Sequence, residues 1–227
     1  MGSRLPLFPL GSVLFPGLVL PLRVFEERYR TLVRHLAGLP EGTPREFGVV
    51  AIRRGWEVQT PPAATGDSPP MPVTLHDVGC AAQVRRITEL PDGRFTLLTV
   101  GGRRFRIVRV EDTLPYLTAE VEWLPEARDE VADLLAPRVL DRFREYLALI
   151  RSDPLTDLPH DPTALSYTVA AVTVLSVDDR QALLAAPDTA SRLRAELRLL
   201  NRELALLPRL RAVPATLAEF AVQPSPN

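Results

Sequence analysis

Apolar and polar residues alternate with a period of about two along most of residues 1–124, and prolines and glycines interrupt the alternation. This period is typical of strands with one buried face, and the interruptions mark turns. The Pro91–Gly93 stretch predicts a hairpin turn, and Gly101–Gly102 predicts a second tight turn. We therefore predict extended segments over residues 4–10, 13–22, 47–52, 78–90, 94–100, 103–110 and 116–124.

Helical spacing occurs first over residues 24–37, where apolar residues recur every three or four positions. After Pro125 the same spacing continues and predicts a long helix that includes Pro137. Residues 164–175 are apolar on all sides, which indicates a buried helix, although their β-branched residues leave a strand open. The sequence SVDD at 176–179 is typical of a helix start, with a capping serine followed by acids.

A stripe of leucines between residues 193 and 207 predicts a last long helix. The stripe covers little over two heptads, so we interpret it as an internal packing face, with dimerisation as the alternative. Closely spaced hairpins predict that residues 1–124 form a closed or nearly closed β-barrel with one or two short helices. Residues 125–211 are predicted to form a helical bundle and residues 212–227 a loosely packed C-terminal tail. The predicted fold class is α+β.

Charge gives no support for nucleic-acid binding. The chain has 27 basic and 28 acidic residues, with 15 arginines against 13 acids in residues 1–124. A protein that neutralises many phosphates carries a clear basic excess. No lysine occurs, so the sequence contains no Walker A loop, Ser–Lys dyad or Schiff-base lysine.

The single cysteine excludes an internal disulfide and a four-cysteine metal site. The apolar stretches are cut by proline or charge before they reach the roughly 20 residues that span a bilayer. We therefore predict a cytoplasmic protein without a membrane partner.

Three arrangements could be taken for chemistry, and each has a plainer explanation. His76 precedes Cys80 by four residues, but an extended chain separates them, so we interpret Cys80 as a buried apolar residue. His160 lies beside acids in a proline-bounded loop, which we interpret as solvated. The Gly101–Gly102 pair precedes arginines but no helix, so it does not predict a phosphate site. We predict no catalytic residue, no metal ligand and no cofactor.

The charges at the start of the first helix are predicted to be structural. Glu27 is expected to pair with Arg28 or with a strand arginine such as Arg106, tying the helix to the sheet. The alternating arginines of residues 103–110 are expected to pair with glutamates of neighbouring strands.

Two ordered blocks resemble the Lon N-terminal, or substrate-binding, domain family. The first is LPLFPLGSVLFPGLVLPLRVFEERYR at residues 5–30, with its Phe-Pro-Gly and Pro-Leu elements before the helix. The second is VGCAAQVRRITELPDGRFTLLTVGGRRFRIVRV at residues 78–110, and DRQALLAAPDTASRLRAELRLL at 179–200 is also similar. The resemblance covers about residues 4–210. It implies a PUA-like β-barrel followed by a helical bundle.

The resemblance also implies a polypeptide-binding module that lacks the ATPase and peptidase of full-length Lon, so we expect a stand-alone, non-catalytic protein. Expected partners are unfolded or extended polypeptides, with a separate protease or chaperone as a further partner. Trp56, Met71 and Pro70, in a proline-rich loop, are the predicted peptide contacts. An RNA-binding PUA-like protein is the alternative, and an enzyme with a pocket between barrel and bundle is a third class. Oligomeric state is left open.

Overall fold

Seven strands and five helices occupy the described residues of this computed structural model, which are residues 3–54, 74–126, 130–150 and 158–211. The strands are β1 (Ser3–Leu10), β2 (Val19–Val24), β3 (Glu46–Arg54), β4 (Thr74–Leu75), β5 (Val78–Glu89), β6 (Phe95–Glu111) and β7 (Thr118–Trp123). The helices are α1 (Glu27–Ala37), α2 (Glu130–Ile150), α3 (Pro162–Val172), α4 (Val177–Leu184) and α5 (Thr189–Arg211).

Six strands follow one path of hydrogen-bonded neighbours, in the order β1-β7-β6-β5-β3-β4. β1 also pairs in parallel with β3, so β1, β7, β6, β5 and β3 form a closed circuit. The other pairings are antiparallel, and β2 lies off this path against β6. The predicted α+β class is confirmed as a mainly antiparallel sheet with five helices. A PUA-like barrel, a separate helical bundle and the domain limits remain predictions.

β1 tolerates two prolines because its pairing changes along its length. Pro6 lies opposite Thr118 in the half that pairs with β7, and Pro9 lies opposite Val50 in the half that pairs with β3. A proline fits where a strand has a ladder on one side alone. Each half of β1 therefore pairs with a different strand, on one side only, and can accommodate a proline.

The predicted tight turn at Gly101–Gly102 is wrong, because β6 runs through both glycines as one long strand. A Cβ at residue 101 would lie 2.0 Å from the carbonyl oxygen of Phe15. Gly101 also exchanges backbone hydrogen bonds with Gly17 and Leu18. Gly101 therefore permits the close approach of another segment of backbone, which is a common reason for a glycine inside a strand.

The helices agree with the predicted spacing, with shifted ends. α1 begins at Glu27, three residues after the predicted start. The choice left open for residues 164–175 is settled as helix up to Val172, and α3 begins after an Asp161 cap that accepts from the Ala164 N–H. Ser176 caps α4 as predicted. Among the described helices, none has the length and apolar character to cross a membrane.

The main core lies between the sheet and helices from both the N-terminal and the C-terminal parts of the chain. Phe8 of β1 stacks on Tyr29 of α1 with ring centroids 4.0 Å apart. Leu183 and Leu184 of α4 belong to the same buried cluster. A second cluster lies among the helices, and it includes Leu193 and Leu200, so these two residues of the leucine stripe pack internally.

A polar group, here called the Glu126 cluster, comprises partly exposed Glu126 and the buried residues Arg104, Arg192 and Tyr167. The Glu126 carboxylate accepts from Arg104 Nε at 2.5 Å and from Arg192 Nη2 at 3.2 Å, and from the Tyr167 hydroxyl. Both guanidinium groups are fully buried. Because Arg104 lies on β6 and Arg192 on α5, the cluster ties the sheet to the helices.

The predicted pairing of Glu27 with Arg28 or Arg106 is wrong. Glu27 pairs with Arg30 and Arg34 of its own helix, which lowers the pKa of its carboxyl through the Arg34 hydrogen bond. Arg28 pairs with Glu26 at 2.8 Å. Helical neighbours three and seven positions away lie on the same face as Glu27, so they reach it before a strand residue does.

Candidate functional site

The three predicted peptide contacts, Trp56, Met71 and Pro70, lie outside the described residues and stay predictions. Among the surfaces of the described residues, two have features that suit a ligand of the kind expected from the sequence. One is the outer face of β2, and the other is a polar cleft beside α4.

The β2 surface consists of Val19, Pro21, Phe25 and Leu98. Within the described part of the chain, β2 pairs with β6 along one of its two edges. Its side chains alternate, so that Leu20, Leu22 and Val24 face the core and the residues between them face outward. Val19 is 62% exposed and Phe25 is 53% exposed, and Leu98 lies opposite Pro21 on β6.

A small apolar hollow adjoins this surface between the end of β1, the end of β2 and the start of α1. Its volume is about 70 Å³, and Phe8, Leu10, Leu22 and Phe25 contribute to its wall. Ligand pockets have volumes of roughly 300–1,000 Å³, so this hollow can accept one apolar side chain and not a whole ligand. An edge strand beside such a hollow suits an extended polypeptide, whose main chain pairs while a side chain anchors it.

The α4 cleft is larger, with a volume of about 720 Å³. It lies between α4 and the sheet where β3, β5 and β6 come together. Charged and polar side chains dominate its wall, which comprises Arg53, His76, Asp77, Val78, Arg106, Asp178, Gln181, Ala182 and Ala185. Its size falls within the usual range of ligand sites.

Of the cysteine and histidine arrangements considered from sequence, only His76 reaches one of these surfaces, in the wall of the α4 cleft. Cys80 is buried, its Sγ–H donates to the Gly102 carbonyl oxygen, and burial raises the pKa of its thiol. The thiol is therefore protonated and not nucleophilic. The His35 Nδ1 lies 2.8 Å from the Tyr116 hydroxyl. Exposed His160 has its neighbour Asp161 engaged in capping α3.

Metal binding finds no support in the described residues, among which no group of three or more histidines, cysteines and acids is placed to hold an ion.

Sequence reasoning missed Phe25, for which a signal existed. The pair Val24–Phe25 interrupts the alternation of β2 directly before α1. Because adjacent side chains of a strand lie on opposite faces, one of these two apolar side chains must face solvent.

Residues 4–202 match the family model of the ATP-dependent protease La (LON) substrate-binding domain. The chain belongs to this family. It is similar to Lon protease 1 of Herpetosiphon aurantiacus, with 30% identity over 87% of this chain and 24% of the relative. It is also similar to Lon protease 2 of Sorangium cellulosum, with 29% identity over 90% of this chain and 25% of the relative. The chain spans about a quarter of the length of these relatives.

Two solved structures share the Lon N-terminal domain fold. The Lon N-terminal domain protein from Xanthomonas campestris is 29% identical with a TM-score of 0.56, covering 88% of this chain and 98% of that chain. The N-terminal domain of the Mycobacterium avium complex Lon protease is 19% identical with a TM-score of 0.62 and the same coverage, and it supports the fold alone. The family predicted from the sequence blocks is thus confirmed.

Proposed function

We propose that this LON substrate-binding domain recognises extended polypeptide segments at the β2 surface and does no chemistry itself. The observation that carries the proposal is the edge of β2, where exposed Val19 and Phe25 flank an apolar hollow. An incoming strand would pair with the edge of β2 that pairs with no described strand and place alternate side chains against these residues. Family membership supports substrate recognition as the purpose of such a surface.

The proposal includes the absence of enzymatic activity. It is supported by the lack of lysine in the sequence and by the protonated, buried state of Cys80. A separate protease or chaperone that receives the bound polypeptide, and a cytoplasmic location, are further parts of the proposal. No relative described above supports the RNA-binding alternative.

The test uses an amidated heptapeptide of alternating valine and threonine with an N-terminal fluorophore, and its binding is followed by fluorescence anisotropy. Substituting Val19→Ser should weaken binding about 5- to 10-fold, because one apolar side chain contributes roughly 1–1.5 kcal/mol when it is buried. The matched control is Val108→Ser, since Val108 is 61% exposed against 62% for Val19 but lies on β6 beyond the β2 pairing.

A second arm separates strand pairing from general stickiness. The same peptide with N-methyl groups on alternate amides keeps its side chains but loses main-chain donors on one edge. The methylated peptide should bind at least 10-fold more weakly if it adds to β2 as a strand. Equal binding of both peptides, or equal loss in the Val19 and Val108 variants, would refute the proposed surface.

A further inference from the structure

Gln181, in the wall of the α4 cleft, has a buried acceptor oxygen with no donor among the described residues. Gln181 is 6% exposed, and its Nε2 donates to the Val78 carbonyl oxygen at 2.8 Å. Because a carbonyl oxygen only accepts, this bond fixes which end of the amide is which. Its Oε1 has no partner among the described residues. A buried acceptor without a donor costs free energy, so a ligand N–H at this position would be favoured.

The cleft also contains two guanidinium groups on strands that flank β5. Arg106 lies opposite Val78 in the β5–β6 register. Arg53 follows Ala51 by two residues, and Ala51 accepts from the His76 backbone N–H. Neither arginine makes a hydrogen bond or ion pair with a residue that the structure describes. By contrast, Arg4 of β1, Arg94 of the β5–β6 turn and Arg109 of β6 each pair with an acid.

Two acids and one imidazole also line the cleft. Asp77 and Asp178 are exposed, and the Asp178 carboxylate lies 4.0 Å from His76 Nε2, which has no hydrogen-bond partner among the described residues. Opposite charges therefore line one cleft without neutralising each other. A ligand that offers both a carboxylate and N–H donors satisfies this arrangement.

Resting on the proposed function, we propose that the α4 cleft binds a carboxylate of the polypeptide substrate. Arg53 and Arg106 hold the carboxylate by charge-assisted hydrogen bonds, and a main-chain N–H beside it donates to Gln181 Oε1. A phosphate fits less well, since it brings no N–H for Gln181 and its double charge is opposed by Asp77 and Asp178. The carboxylate has two sources, an acidic side chain or the C-terminus of the substrate.

The test is an NMR titration of the full ¹⁵N-labelled chain with three acetylated pentapeptides. They are Gly-Ser-Glu-Ser-Gly amide, Gly-Ser-Gln-Ser-Gly amide, and Gly-Ser-Gln-Ser-Gly with a free C-terminus. The Gln181 side-chain amide and the backbone amides of Arg53, His76 and Arg106 should shift. The neutral amide should bind at least 10-fold more weakly than the better of the two carboxylate peptides. The better carboxylate peptide identifies the source.

The variants Arg53→Gln and Arg106→Gln should each weaken carboxylate binding about 5- to 10-fold. Arg86→Gln is the matched control. Arg86 is an exposed arginine of β5 outside the cleft lining, and its substitution removes the same charge. Equal affinity for all three peptides, or equal loss in Arg86→Gln, would overturn the inference.

The two proposals fail separately. If the valine–threonine peptide still binds at β2 while no carboxylate peptide shifts the α4 cleft, the proposed function stands and this inference is refuted. If carboxylate peptides bind the cleft while Val19→Ser changes nothing, the inference stands and the β2 surface is refuted.

Discussion

Replacing Glu126 by glutamine should destabilise the protein strongly, because it removes the counter-charge of two buried arginines. The substitution keeps the shape of the side chain and one acceptor oxygen. Arg104 would retain its bonds to the carbonyl oxygens of Leu184 and Ala186, at 2.7 and 2.6 Å. Arg192 would retain its bond to Ser166 at 2.8 Å. Neither set of neutral partners balances a positive charge that is shielded from water.

The magnitude follows from burial. Removing one partner of a fully buried ion pair costs about 3–5 kcal/mol. Glu126 is 33% exposed, so water already weakens its interactions, whereas both arginines are fully buried. We therefore expect Glu126→Gln to lower the free energy of unfolding by about 3 kcal/mol, near the lower end of that range. The Tyr167 hydroxyl, whose pKa is raised mainly by burial, stays protonated and would donate to the amide oxygen.

The assay is urea unfolding at pH 7 followed by far-UV circular dichroism, with the slope m compared between variants. Glu145→Gln is the control, because Glu145 pairs with Arg142 at 2.7 Å on the surface of α2 and both side chains are about half exposed. Exposed pairs contribute about 0.5 kcal/mol or less. A loss below about 1 kcal/mol in Glu126→Gln, or a loss equal to the control, would show that the Glu126 cluster does not stabilise the contact between the sheet and the helices.

Two further changes test the core. Glu196→Gln should stabilise the protein at high pH: burial raises the pKa of the Glu196 carboxyl well above 4.5, and both its oxygens lack a partner among the described residues. The folded state then binds more protons than the unfolded state above pH 4.5, so stability falls as pH rises. Urea unfolding at pH 4 and pH 8 should show no gain at the lower pH and about 1 kcal/mol or more at the higher, and parallel pH profiles would contradict this. Gly101→Ala should cost more than about 2 kcal/mol in the same assay, while Gly102→Ala, whose Cβ would lie 3.1 Å from the flexible Gln83 amide, should cost less than half as much.

Local periodicity predicted much of the secondary structure, because most strands and helices have one buried face. The strand β3, the β5–β6 hairpin at Pro91–Gly93 and the capped start of α4 at Ser176 could all be read from neighbouring residues. The turn at Gly101–Gly102 could not be rejected locally. The reason for Gly101 is the carbonyl oxygen of Phe15, which lies far away in the sequence.

The inward direction of Arg104 has a similar long-range cause. In the alternating segment 103–110, adjacent Arg104 and Phe105 are both buried. Between Cys80 and Ala82 the β5–β6 register shifts, so that Cys80 faces Arg104 while Ala82 faces Gly101. An extra residue on β6 changes the face on which later side chains lie. Such an irregularity is set by pairing with another strand and leaves no mark in the period of β6 itself.

The Glu126 cluster and the α4 cleft depend on the same helix. Arg104 holds the C-terminal end of α4 through the Leu184 and Ala186 carbonyl oxygens, and Gln181 holds its middle on β5 through Val78. The cleft wall that α4 provides is thus positioned in part by the hydrogen bonds of Arg104. Since Arg104 is fixed in turn by Glu126, a carboxylate held by Arg53 and Arg106 would meet a wall set by the same ion pairs that join sheet and helices. Stability of the fold and geometry of the cleft are therefore not independent properties of this chain.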